Sequence, residues 1–144
     1  MILTEGSKTQ EILNISHPSL RDRTRGVIDA VLKTVHREGI NLPLSDDELS
    51  YLIERSHRNA MEHGNLWNPK KIITVKVIKD PDYLTIEIMD ESPSSRIEKI
   101  SELRQFFRTE SQETAIIRQY CEPQWNDRGN QLQLRISLTR NGIE

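Results

Sequence analysis

A single cysteine, Cys121, stands among the 144 residues, so no intrachain disulfide can form and a disulfide-stapled fold is excluded. Long apolar runs are also lacking: no stretch approaches the ~18 residues of a membrane span. The opening MILTEGSKTQEIL has no basic region followed by an apolar core, the pattern of a secretory leader. Charge of one sign is scarce too. The net charge is −2 with both signs interspersed, and no stripe of Lys and Arg stands out, which argues against direct nucleic-acid binding through a basic field. Apolar residues make up 35 % and charged residues 29 %, so the core must be economical and the surface strongly solvated. These absences imply a soluble, cytoplasmic protein without a membrane partner. Its length suits one domain with one core, with residues 1–10 expected to be a disordered N-terminus and 11–144 the folded unit.

What is present is well patterned. EILNIS (Glu11–Ser16) has strand character and Pro18 ends it. In the stretch Ser19–Gly39, Leu20, Thr24, Val27, Ile28, Val31, Leu32 and Val35 recur at helical spacing, and Gly39 suits the C-terminal cap. Ser19 and Asp22 resemble a capping box with Asp in place of Glu. A full S-x-x-E box, Ser45 and Glu48, opens a second helix expected from about Asp46 to His63 and stopped by Gly64. Its inward stripe is Leu49, Leu52, Ile53, Ser56 and Ala60. KIITVKVI (Lys71–Ile78) and YLTIEIMD (Tyr83–Asp90) alternate and read as an antiparallel hairpin across Asp80-Pro81-Asp82. Two further helices are expected in SRIEKISELRQFF and ESQETAIIRQYC, and QLQLRISL closes the chain's pattern as a strand with Leu132, Leu134, Ile136 and Leu138 on one side. The elements named run β α α β β α α β, and strands that have one wet face imply an α+β fold. It is a two-layer α/β sandwich with a mostly antiparallel sheet and helices on one face.

Three polar clusters interrupt this plan: ERSHRNAMEHGN (Glu54–Asn65), MDESPSS at a strand end, and RTESQETAIIRQ before a late helix. Polar residues gathered where strands end and helices begin are where α/β folds place ligands. His36, His57, His63 and Cys121 do not form a metal-ligand spacing, and Cys121 reads as a small buried or half-buried residue rather than a nucleophile. Trp67 and Trp125 read as packing residues.

The run ELxxLIExxxxNAxEHGN, followed by a hairpin and a strand ending in Asp90, resembles the anti-sigma-factor serine kinases. These belong to the GHKL superfamily of histidine kinase-like ATPase domains. AIIRQYCEPQWNDRGNQLQLRISL is similar to their closing helix, turn and strand, so the resemblance spans roughly residues 10 to 138. It implies the histidine kinase-like ATPase fold and a site for ATP and Mg²⁺. Asn59 matches the asparagine that holds the Mg²⁺ bridging the phosphates, a role suited to a hard oxygen ligand. His63 and Gly64, with Asn65, match the family's HGN, although a histidine there can also serve the helix C-terminus. Asp90 matches the carboxylate that accepts a hydrogen bond from the adenine amino group, and Ser92 and Ser94 occupy the two glycine positions of the loop that follows.

The chain departs from the family where chemistry is most demanding. The general base, a glutamate four residues before the asparagine, is here Arg55, which is permanently cationic and cannot take a proton. Glu54 is the nearest carboxylate, but it lies one residue too early. Four residues turn a helix through roughly 400°, keeping two side chains within about 40° of each other, whereas five leave them about 140° apart. Arg55 would also repel a Mg²⁺ ion held by Asn59. Ser111-Gln112-Glu113 stands where a second glycine box belongs, and Glu113 brings negative charge to a polyphosphate's position. The expectation is a regulatory, anti-sigma-like protein-binding module with impaired ATP binding. Its partners would be a sigma factor or a STAS-domain anti-anti-sigma protein, and it could form a homodimer. The alternatives are an active serine kinase acting on a STAS partner and a purely oligomeric structural domain.

Overall fold

A computed structural model describes residues 9–92, 104–105 and 112–138. The frayed segment expected at the N-terminus therefore lies outside the described residues except for its last two positions. Gln10 already belongs to the first strand. The helix expected in SRIEKISELRQFF also lies outside them, apart from Arg104 and Gln105, which are helical.

The strand β1 (Gln10–Pro18) leads through one tight helical turn, Arg21–Arg23, into α1 (Thr24–Arg37), and α2 (Asp46–Asn59) follows. The hairpin β2 (Ile72–Lys79) and β3 (Tyr83–Met89) comes next, then α3 (Gln112–Tyr120), β4 (Cys121–Trp125) and β5 (Gln131–Ser137). The sheet order is β1-β2-β3-β5-β4, and every pairing is antiparallel.

Alternation sets the register. Val75 lies opposite Ile88 and Val77 opposite Ile86, while Leu84, Ile86 and Ile88 in turn face Ile136, Leu134 and Leu132. A slip of one residue would turn every one of these to water, so the apolar rows specify the pairing. All of them are buried with Val27, Val31 and Val35 of α1 and Leu49, Leu52 and Ile53 of α2 in one core. The intervening Lys76, Thr85, Glu87, Gln133 and Arg135 form the wet face, and Arg135 lies over the Tyr83 ring at 4.0 Å. The α+β sandwich expected from the pattern is thus present.

Three local readings change. Ser19 does not cap α1: its hydroxyl donates to the Lys71 carbonyl (3.1 Å) and accepts from the Asn65 amide (2.7 Å), bonds across the fold that outcompete a local one. Leu20, placed on the inward stripe, is instead exposed, because the short helical turn precedes the α-helix and rotates it outward. Cys121 begins β4 rather than ending a helix, opposite Ile136. It is buried, and burial pushes its thiol up to about 12, as expected of an inert residue. β4 is an edge strand, which tolerates Pro123, since only one side of its backbone is needed for the ladder.

The capping box at α2 is complete: Glu48 N–H donates to Ser45 Oγ at 3.1 Å, and Ser45 N–H donates to Glu48 Oε1 at 2.8 Å. Ser45→Ala should cost about 1 kcal/mol of stability, read as a lower urea midpoint at unchanged slope. An unchanged midpoint would show the box to be idle.

Candidate functional site

The regular α2 helix ends at Asn59 and continues as a wider π-type turn, Ala60–Gly64. Asn65 N–H donates to the Ala60 carbonyl, five residues back, at 2.9 Å. The helical run expected to end at His63 therefore extends through Gly64, and its last turn is wound differently. Leu66 (φ 55°) and Trp67 (φ 56°) then follow in the left-handed region, an uncommon pair of side-chain-bearing residues there.

The amide of Asn65 sets this arrangement. Its Oδ1 accepts from Glu91 N–H at 2.7 Å, while its Nδ2 donates to Ser19 Oγ at 2.7 Å and to the Ile72 carbonyl at 3.2 Å. One buried side chain thus joins the end of β1, the start of β2 and the segment leaving β3. The wide turn brings Gly64 directly against Asp90, and a Cβ there would overlap the carboxylate. Gly64 is required by this close approach rather than by its backbone angles.

Asp90 is buried, and its Oδ1 accepts from Ser92 N–H (2.9 Å) and Ser92 Oγ–H (2.6 Å). Ser92 therefore clamps this carboxylate through both its backbone and its hydroxyl. Asn59 and Asp90, remote in sequence, line one cavity together with Ser56, Trp125 and Asn130. Its volume is about 10 Å³, room for about one water molecule. Ser56 is only 1 % exposed, and its hydroxyl has no hydrogen-bond partner among the described residues.

Other residues singled out in the sequence lie elsewhere. Glu54 does not face this cavity: it pairs with Arg58 at 3.7 Å and lines a cleft between α1 and α2, the offset expected from five residues of regular helix. Arg55 is exposed and borders a small depression with Glu54, Arg58 and Glu62. His63 is half-buried beside Glu62, with Nε2 3.6 Å from its carboxylate. Ser94 and Ser111 lie outside the described residues, and Gln112 and Glu113 open α3. No group of three or more His, Cys, Asp or Glu side chains among the described residues could hold a metal ion.

A second polar centre escaped the sequence reading. His57 is fully buried on the core side of α2, where its Nε2 lies 2.8 Å from His17 Nε2 and its Nδ1 lies 2.9 Å from Thr24 Oγ1. His17 Nδ1 stands 2.6 Å from the Pro18 carbonyl, which can only accept, so that nitrogen carries a proton. With both rings neutral, His17 Nε2 accepts from His57 Nε2–H, and His57 Nδ1 accepts from the Thr24 hydroxyl. Each partner is satisfied by a single tautomer. His57 fills a helical position beside Ser56, but its two partners are 40 and 33 residues away, so spacing gave no signal.

A comparison of the chain with protein-family models finds no match, and a sequence comparison with curated proteins finds none.

The contact between Gly64 and Asp90 can be tested by a double-mutant cycle. Gly64→Ala should destabilise by about 1–3 kcal/mol, and much of that should vanish when Asp90→Ala is already present. Additive effects would mean that the two residues do not touch. The buried histidine makes a separate prediction. Burial, and secondarily the neighbouring His17, pushes His57 down to about 3, whereas in the unfolded chain it titrates near its ordinary value of about 6.5. Its contribution is complete above that ordinary value and is lost as pH falls toward about 3. At pH 5 the loss should be about 2 kcal/mol. Urea unfolding at pH 7 and pH 5 measures it, and His57→Gln should flatten the dependence.

Proposed function

We propose that this chain is a regulatory protein-binding module of anti-sigma type, built on the histidine kinase-like ATPase plan, whose inherited nucleotide site no longer takes ATP. The single observation that carries this reading is the size of the cavity between Asn59 and Asp90. At about 10 Å³ it suits a water molecule and not a purine ring. Its two matched residues line one small space, which Trp125, Asn130 and Leu132 close, while Ser92 holds the Asp90 carboxylate. The residues present do not fit ATP with Mg²⁺. No carboxylate faces Asn59 from the position of a base, since that position is the exposed Arg55 and Glu54 turns toward Arg58. Phosphoryl transfer depends on positioning a base and a metal together, and neither is positioned by these residues.

In this reading a sigma factor or a STAS-domain protein is the partner, a homodimer is the working form, and the cytoplasm is the location. No helix among the described residues is long and apolar enough to cross a membrane.

One observation favours the second reading, an active serine kinase. The buried Ser56 hydroxyl faces the cavity without a partner, and a buried hydroxyl without one costs about 1–3 kcal/mol. A ligand could satisfy it, but so could one ordered water. Calorimetric titration with Mg·ATP separates the readings. No saturable heat is expected up to millimolar nucleotide, and a micromolar dissociation constant would overturn the proposal in favour of the kinase.

A further inference from the structure

Several exposed features converge on the face opposite the Asn59–Asp90 cavity. A cleft of about 570 Å³ opens between α1 and α2, and Arg21, Arg25 and Arg58 line it with Tyr51 and a single acidic residue, Glu54. Glu54 is paired with Arg58 and Arg25 with Asp29, at 3.7 and 3.4 Å. Both pairs are exposed and so are worth little to the fold. With Asp29 counted, the cleft keeps one net positive charge, and Arg21 is the lining arginine outside both pairs.

Beside this cleft, reached through Arg21, lies an apolar corner. Leu66 is 56 % exposed, Ile72 42 %, Tyr51 38 % and Leu20 37 %, four of the five large hydrophobic residues most open to water among the described residues. Three of them share one corner. Ile72 pairs with Pro18 across β1 and β2, Leu20 follows Ser19, and Leu66 follows Asn65, whose amide binds both Ser19 and the Ile72 carbonyl. Arg21 joins the corner to the cleft: its guanidinium lies over the Trp67 ring at 4.2 Å while it also lines the cleft. The two left-handed residues Leu66 and Trp67 matter here. A conformation that costs about 1–2 kcal/mol per residue turns Leu66 outward and Trp67 inward, and strain of this kind clusters at binding surfaces.

We infer that the cleft between α1 and α2, with its Leu20–Leu66–Ile72 rim, is the docking surface for an acidic amphipathic segment of a partner protein. The inference deepens the protein-binding reading and rests on it for the class of occupant. Charge complementarity selects the occupant. Carboxylates on the segment meet Arg21 and Arg25, whose planar N–H groups donate in pairs to the carboxylate oxygens. Apolar side chains from the segment's other spacing cover the rim. A bare anion would leave Leu66, Leu20 and Ile72 in water, and an uncharged apolar segment would bury the Arg21 guanidinium without a carboxylate beside it. Lys70 and Lys71 stand immediately before Ile72, whose N–H donates to the Glu91 carboxylate at 2.8 Å, so the rim carries both signs of charge and the positive charge that selects the occupant is that of the cleft.

The probe is a fluorescein-labelled amphipathic peptide of Glu and Leu at helical spacing, followed by anisotropy against the full chain. Saturable binding is expected that weakens as salt rises. Arg21→Glu with Arg25→Glu should weaken it by about tenfold or more, and Leu66→Ala by several-fold. Arg25→Gln, a milder change at an exposed position, should weaken it by a smaller factor and serves if the double variant does not fold. A peptide with Lys for Glu that binds as tightly, or no saturable binding of the Glu peptide, overturns the inference. So does tighter binding to phosphatidylserine vesicles or to inorganic phosphate than to the peptide, or self-association of the chain abolished by the arginine variants. A sigma factor or STAS protein that binds the double variant as tightly as the unaltered chain overturns this face while leaving the protein-binding reading intact.

Discussion

The buried amide of Asn65 is the constraint on which the rest of this structure depends. A primary amide offers two donors and one strong acceptor, and here those groups are committed to Ser19, the Ile72 carbonyl and the Glu91 amide. The three segments come from the end of β1, the start of β2 and the exit of β3. A buried polar group that lost any of these partners would keep the desolvation cost without the bond. The loop after α2 therefore has essentially one place to go. That placement draws Gly64 onto Asp90 and throws Leu66 into solvent.

Two faces of α2 then acquire different characters. Toward the sheet, Ser56, Asn59 and Asp90 surround a space the size of a water molecule. Toward α1, Glu54 and Arg58 border an open cationic cleft. Five residues of regular helix between Glu54 and Asn59 separate these faces, because a regular helix rotates a side chain by about 100° per residue. The same spacing removes a carboxylate from the closed cavity and delivers it to the open cleft. The chemistry expected of the first face is weakened as the second gains a polar lining.

Between the faces sits the His17–His57–Thr24 chain of hydrogen bonds, which links β1, α1 and α2 through side chains alone. It explains how α2 carries a histidine on its core-facing side without an unpaired nitrogen. Each ring nitrogen meets a group of the complementary kind, so the polar junction can stand inside an otherwise apolar core.

The sequence by itself determined the elements whose signal is local and periodic. The S-x-x-E box predicted the start of α2, alternation predicted β2, β3 and β5, and the lone Cys121 proved buried as expected. It also placed Asn59 and Asp90 as candidates, and the offset of Glu54 from Asn59 followed from helical rotation alone. Only the tertiary structure decided that Ser19 serves Asn65 instead of α1, that His57 meets His17, that CEPQW is an edge strand, and how little space remains beside Asp90. The reason is physical: periodicity reports which way a side chain points along its own element. Hydrogen bonds between residues tens of positions apart, and the volume left between packed elements, exist only once the elements have met.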